Sequence, residues 1–285
     1  MTAQRLGDLT VLAFDHRLQL EALAARHARG AEHIIRFKRL IAEGARQGSG
    51  GTTGVGIILD DRYGEALLPA MSGTGWWVAR PVERPGSRPL QFEAGPQIGA
   101  TLAAWPAEHV AKCLVSHHPD DALALREQQL DQLLALQQAC VATHRQCLIE
   151  IIPPADMPAD AQTLARALEQ IYAAGIHPQW WKLPPPASSE AWRQLEDTIA
   201  RHDPQCSGVL LLGLDASEHH LHSGFLLAAP HAICRGFAVG RSIFGNAAAA
   251  WFDGQRSDAQ VIAEVAARYA RLITLWRDAR ASAAA

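Results

Sequence analysis

The sequence predicts a single closed (β/α)8 barrel, and three observations lead there. Eight short apolar runs recur along the 285 residues, most of them apolar throughout rather than alternating, as strands of a parallel sheet covered on both faces should be. Stretches long enough for a helix separate most of these runs, the β-then-α order of parallel α/β architecture. Eight such units in about 280 residues fit a closed barrel. The competing architecture is an open doubly wound sheet. Against it stands the first turn, Phe14-Asp15-His16-Arg17, which lacks the glycine-rich phosphate fingerprint of dinucleotide folds.

Residues 10–14 form the first expected strand and end in Asp15-His16-Arg17. Residues 18–47 then read as one helix, with Ile34, Ile35, Phe37, Leu40 and Ile41 near helical spacing, closed by the glycine-rich 48–51. The second strand is 55–59, followed by Asp60-Asp61-Arg62, and the third is 75–79, followed by Arg80-Pro81-Val82-Glu83. The Pro- and Gly-bearing segment 84–96 reads as a loop. The fourth strand, 109–116, ends in His117-His118-Pro119-Asp120-Asp121 and leads into a helix over 122–143. The fifth, 147–152, is stopped by Pro153-Pro154, and the next helix, 159–174, ends at Gly175. Strands six and seven are 180–183 and 208–212. The eighth, 233–239, runs into Gly240-Arg241-Ser242 and a helix over 243–251; the last helix spans 258–280 and 281–285 are expected to fray. One barrel over 1–280 with a disordered tail is the expected domain organisation.

Composition narrows the function. A formal charge of -3 with both signs interspersed offers no basic stripe for nucleic acid and no polybasic membrane patch, so a small substrate is expected. Five scattered cysteines without a CxxC pair read as reduced, mostly buried thiols of a reducing cytosol. No basic-then-apolar leader and no run of about 18 apolar residues is present, so a soluble cytoplasmic protein is expected. The oligomeric state stays open, a homo-oligomer included.

Barrel chemistry sits at the carboxyl ends of the strands, which gives weight to the charged residues there. Asp15, Asp60, Asp61, Arg80, Glu83, Glu150, Asp215 and Arg241 fall at or near such ends, with Lys112 and Lys182 inside apolar runs. A buried ammonium is costly unless it is paired, deprotonated or chemically used. An amine attacks a carbonyl only when free, and its ordinary pKa is about 10.4, so a nucleophilic lysine needs an apolar wall or a second cation. Trp180, two residues before Lys182, shares its face and supplies the wall; Lys112 supplies the cation; Glu150, from the strand between them, moves protons. Asp15 orients a substrate hydroxyl; capping the following helix is the commoner role for an Asp taken alone, and its place at the first strand brings the two readings level. Gly240-Arg241 before a helix suits a phosphate. Glu83 and Arg80 flank a proline and read first as a rim salt bridge, with Arg80 kept beside Arg17 and Arg62 as a candidate partner for a substrate carboxylate. The histidines His117, His118, His219, His220 and His222 invite a metal, but pairs in polar loops are more often solvated, and neither metal nor cofactor is called for.

The segments Ala13-Phe14-Asp15-His16-Arg17, Leu59-Asp60-Asp61-Arg62-Tyr63-Gly64, Ala111-Lys112-Cys113-Leu114-Val115 with Pro119-Asp120-Asp121, and Trp180-Trp181-Lys182-Leu183 resemble class I barrel aldolases of the tagatose-1,6-bisphosphate aldolase kind. The resemblance is closer to the aldolase-like domain fused to 5-dehydro-2-deoxygluconokinases of inositol catabolism, and it extends over nearly the whole chain. It implies a Schiff base on Lys182, acid/base work by Glu150, Lys112 and Asp15 lining the site, and phosphate held by Gly213, Gly240 and Arg241. The loop 84–96 departs from the tagatose enzymes, which points to a different substrate. The implied one is 6-phospho-5-dehydro-2-deoxygluconate, split into dihydroxyacetone phosphate and malonate semialdehyde, with a functional link to a sugar kinase. Alternatives are a non-catalytic sugar-phosphate-binding regulatory barrel, a metal-dependent aldolase and an isomerase.

Overall fold

A computed structural model describes residues 7–285; the first six residues of the expected 1–280 barrel lie outside the described ones. Strands β1 (Leu9–Ala13), β2 (Val55–Ile58), β3 (Trp77–Pro81), β4 (Val110–Ser116), β5 (Cys147–Ile152), β6 (Trp180–Leu183), β7 (Gly208–Leu212) and β8 (Cys234–Val239) pair in sequence order, all parallel, and β8 closes on β1. This is a single (β/α)8 barrel, as the sequence predicts.

The strands are apolar throughout because each contributes to two cores. Leu9, Val11 and Ala13 of β1 point inward with Ile58, Ala79, Val110, Leu148, Trp180, Leu210 and Ala238, whereas Leu12 and Phe14 point outward under the helices. Trp77 and Trp180 meet edge to face at 6.0 Å inside the barrel. Gly236 sits at the seam with φ of 131°, and a Cβ there would lie 1.8 Å from Leu9 O, so only glycine lets β8 approach β1 this closely.

The helices are α1 (Leu18–Arg26), α2 (Ala31–Ser49), the short α3 (Asp61–Gly64) and α4 (Leu68–Met71), α5 (Ile98–Ala103), α6 (Leu123–Ala142), α7 (Thr163–Ala173), α8 (Ser189–His202), α9 (Glu218–Ala228), α10 (Arg241–Phe252) and α11 (Asp258–Ala284). Three differences from the sequence reading follow from local chemistry. The helix expected over 18–47 breaks into α1 and α2, where Ala28 takes a left-handed φ of 51° and Gly30 starts the second helix. β3 lies two residues later than expected, which takes Arg80 into the strand. The expected frayed tail is instead helical to Ala284, since alanine favours helix and no breaker follows Arg280. α11 starts with a capping box between Ser257 and Gln260 and is tied to β1 by Tyr269 Oη, which donates to Thr10 O at 2.6 Å. All five cysteines are free thiols. Among the described residues no helix is long and apolar enough to cross a membrane.

Candidate active site

At the carboxyl end of the barrel, inward-pointing residues change from apolar to charged. Lys182 and Glu150 are register partners on β6 and β5. Lys182 Nζ lies 2.9 Å from Glu150 Oε1, and Lys112 Nζ lies 2.9 Å from Glu150 Oε2. Lys112 Nζ also donates to Asp15 Oδ2 at 3.0 Å and to Glu83 Oε1 at 3.1 Å. Arg17 donates through Nη2 to Glu83 Oε1 at 2.7 Å and through Nη1 to Glu93. Three cations thus face three buried carboxylates, with Glu93 as a fourth carboxylate at the rim.

The electrostatic consequence is specific. Burial alone would push the Lys112 pKa down, but Asp15, Glu150 and Glu83 outweigh it and hold it well above the ordinary lysine value. Burial would likewise raise Asp15 and Glu150, but Lys112 and Lys182 hold both below the usual carboxylate range. The expected lone cation beside Lys182 is therefore a lysine enclosed by carboxylates, whose first effect is to keep Asp15 and Glu150 ionised. His16, next along the chain, is lowered to about 4 chiefly by burial, with Lys182, Arg241 and Lys38 adding to it against Asp15, so its ring is neutral at neutral pH.

These groups open into a cavity of about 420 Å³ lined by Asp15, His16, Arg17, Glu83, Lys112, Glu150 and Lys182, by Gly213 and Leu214 after β7, and by Gly240 and Arg241 after β8. Gly240 cannot carry a side chain, because a Cβ would lie 2.2 Å from Ala13 O and 2.6 Å from His16 Cε1. Arg241 Nη1 donates to Asp215 Oδ2 at 3.2 Å, whereas its Nε and the neighbouring Ser242 Oγ are buried without a partner.

Three residues expected at the substrate are elsewhere. Asp60 caps α3 by accepting from Tyr63 N at 2.9 Å and forms a buried ion pair with Lys38 of α2, whose Nζ also donates to Phe14 O at 2.7 Å. Arg80 alternates outward because β3 runs two residues further than expected. It stacks on Trp105 at 4.0 Å and grips Asp61 through Nε at 2.8 Å and Nη2 at 2.6 Å. Trp180 shares the face of Lys182 but lies below it as core, its Nε1 donating to Gln146 Oε1 at 2.8 Å. Arg80→Ala should cost about 1–2 kcal/mol of stability through the lost stacking and forked ion pair. Thermal melts check this.

Glu83 was legible only as a rim salt bridge, yet it sits between Arg17 and Lys112 and also accepts from Leu114 N at 3.1 Å. The signal was its place two residues after Pro81, the true end of β3. The histidines separate: His117 and His118 are buried after β4, and His219, His220 and His222 lie on α9. Among the described residues no group of three or more His, Cys, Asp or Glu side chains is arranged to hold a metal ion.

Comparison with known proteins places this geometry. The sequence family described as "Uncharacterized protein conserved in bacteria (DUF2090)" matches residues 1–280. The chain belongs to DUF2090. No curated protein matches the sequence of this DUF2090 barrel. Among solved structures, fructose-bisphosphate aldolase from Plasmodium falciparum, crystallised with TRAP and a small-molecule inhibitor, is similar at TM-score 0.69 and 14% identity, over 96% of this chain and 93% of that one. A protein of Corynebacterium glutamicum is similar at 0.64 and 16%, over 95% and 88%. An archaeal fructose 1,6-bisphosphate aldolase is similar at 0.55 and 14%, over 94% and 95%. At these identities the likeness is one of fold, the (β/α)8 barrel.

Proposed function

We propose that this DUF2090 barrel is a class I aldolase that cleaves a phosphorylated keto-sugar acid through a Schiff base on Lys182. The observation that carries the reading is Lys182 Nζ at the carboxyl end of β6, facing the cavity 2.9 Å from a carboxylate that a second lysine keeps ionised.

The chemistry follows from this arrangement. The Lys182 proton passes to Glu150, and the free amine attacks the substrate carbonyl, whose oxygen takes a proton as the C–N bond forms. Loss of water gives the iminium. A base, Glu150 or Asp15, then removes the proton of the hydroxyl on the β carbon, the far carbon of the bond to be broken. That bond cleaves, its electrons enter the enamine, and an aldehyde leaves. Protonation of the enamine and hydrolysis release the ketone and restore the amine. Lys112 supplies a fixed positive charge beside the oxygens where negative charge develops.

The anionic end of the substrate is assigned to Gly213, Gly240 and Arg241. Three features support this: α10 begins at Arg241 and directs its dipole at the cavity, a Cβ is excluded at Gly240, and Arg241 Nε and Ser242 Oγ are unpartnered. With a phosphate here and a ketone at Lys182, the proposed substrate is 6-phospho-5-dehydro-2-deoxygluconate, giving dihydroxyacetone phosphate and malonate semialdehyde. The test is borohydride reduction with dihydroxyacetone phosphate, followed by mass spectrometry. A reduced adduct on Lys182 is expected; its absence, or an adduct on Lys112, overturns the mechanism.

A further inference from the structure

The cavity at Lys182 has a second wall for which the reaction so far has no use. β8 and β3 lie three strands apart round the eight-stranded ring, so the chain leaving β3 faces Arg241 across the mouth. That chain is a built hairpin, in which Glu83 bridges Phe92 antiparallel, Arg84 N donates to Gln91 O at 2.7 Å and Glu93 N to Val82 O at 2.9 Å. Its tip, Gly86-Ser87-Arg88, lines the cavity. Ser87 Oγ holds the tip by donating to Arg84 O at 2.8 Å and accepting from Gln91 N at 3.0 Å.

Arg88 is fixed from behind. Its Nη2 donates to Asp121 Oδ1, while Asp121 Oδ2 accepts from His118 N at 3.1 Å. Asp121 is buried and does not line the cavity. Among the described residues, Arg88 Nη1 and Nε make no hydrogen bond within the chain, which leaves donors of a planar fork suited to a carboxylate or phosphate. The hairpin base is tied to the catalytic cluster through Glu83 on Lys112 and Arg17 and through Glu93 on Arg17. The guanidinium is thus positioned before any ligand arrives, which lowers the ordering cost of binding.

We propose that Arg88 forms a second anion subsite and selects substrates charged at both ends, with one anion at Arg241 and another, carboxylate or phosphate, on the aldehyde half. This rests on the aldolase reading and names the specificity of the same site. The test is condensation of dihydroxyacetone phosphate with malonate semialdehyde, with glyceraldehyde 3-phosphate and with uncharged propanal, using wild type and Arg88→Gln. KM for at least one charged aldehyde should rise about 10- to 100-fold, at least ten times more than for propanal, as expected for a lost charge-assisted contact. The larger effect identifies carboxylate or phosphate as the preferred anion. Equal changes for all three aldehydes would make Arg88 a structural tie to Asp121 and overturn the proposal. Calorimetric titration with malonate and with inorganic phosphate needs no turnover: weaker binding of either to Arg88→Gln supports the subsite even if no borohydride adduct forms on wild type, and unchanged binding of both overturns it.

Discussion

Replacing Lys182 with alanine is expected to abolish the borohydride adduct with dihydroxyacetone phosphate and to lower kcat by at least about 10⁴-fold, the scale of losing a covalent nucleophile. The structure makes this a clean test. Glu150 keeps Lys112 at 2.9 Å when Lys182 is gone, so its carboxylate stays paired, and the vacated volume opens into a wet cavity rather than the core. The fold should survive with a loss of about 1.5–3 kcal/mol, the usual scale of a lost charged hydrogen bond. Lys182→Arg should be equally inactive, since a guanidinium stays protonated and cannot attack a carbonyl. A variant at this position that retains turnover would return the lysine to a structural role. Circular dichroism, adduct mass and initial rates separate these outcomes.

Replacing Lys112 with methionine is expected to give the largest stability loss of any substitution at the site, about 3–5 kcal/mol at neutral pH, because breaking a buried pair strands its partners. Here Asp15 and Glu83 lose a hydrogen-bond donor and Glu150 loses one of its two ammonium partners. The pH dependence should weaken. In the wild type the Asp15 and Glu150 pKa values are lowered on folding, so their contribution is present above the unfolded values near 4 and is lost as pH falls through the folded ones. Without Lys112 both carboxylates lose the largest of the charges that lower them, so their pKa values move up. Their contribution above pH 4 is then smaller, so the variant's deficit should shrink towards pH 4. Denaturant midpoints from pH 4 to 8 check this, and a deficit independent of pH would show that Lys112 is not what keeps these carboxylates ionised.

Lys112, Glu150 and Lys182 share one property: each interrupts an apolar run that faces the barrel interior. Lys112, Glu150 and Lys182 could be placed on one side because strand alternation fixes which residues share a face. Arg80 was misplaced because it was taken to follow the strand, whereas a two-residue difference in the extent of β3 makes it an outward residue within it. Asp60 was misread for another reason. Its partner Lys38 lies on α2, 22 residues away, and nothing in the local pattern marks that pair. Trp180 was given the right face and the wrong depth, because alternation fixes the side of a strand but not the height at which core becomes cavity.

By itself, then, the sequence determined the eight-strand barrel, the strand ends at which chemistry would sit, and the lysine–glutamate–lysine series on three consecutive strands. These follow from periodicity and from the cost of burying charge, both of which are local. Only the tertiary structure decided that Glu83 and Arg17 complete the charge cluster, that Lys112 is enclosed by carboxylates, and that a hairpin presents Arg88 to the cavity opposite Arg241. Those features depend on groups brought together from across the chain, as Lys112 and Asp15 are over 97 residues. Chain closure over such distances is set by the packing of the whole barrel and leaves no periodic mark in the segments that meet.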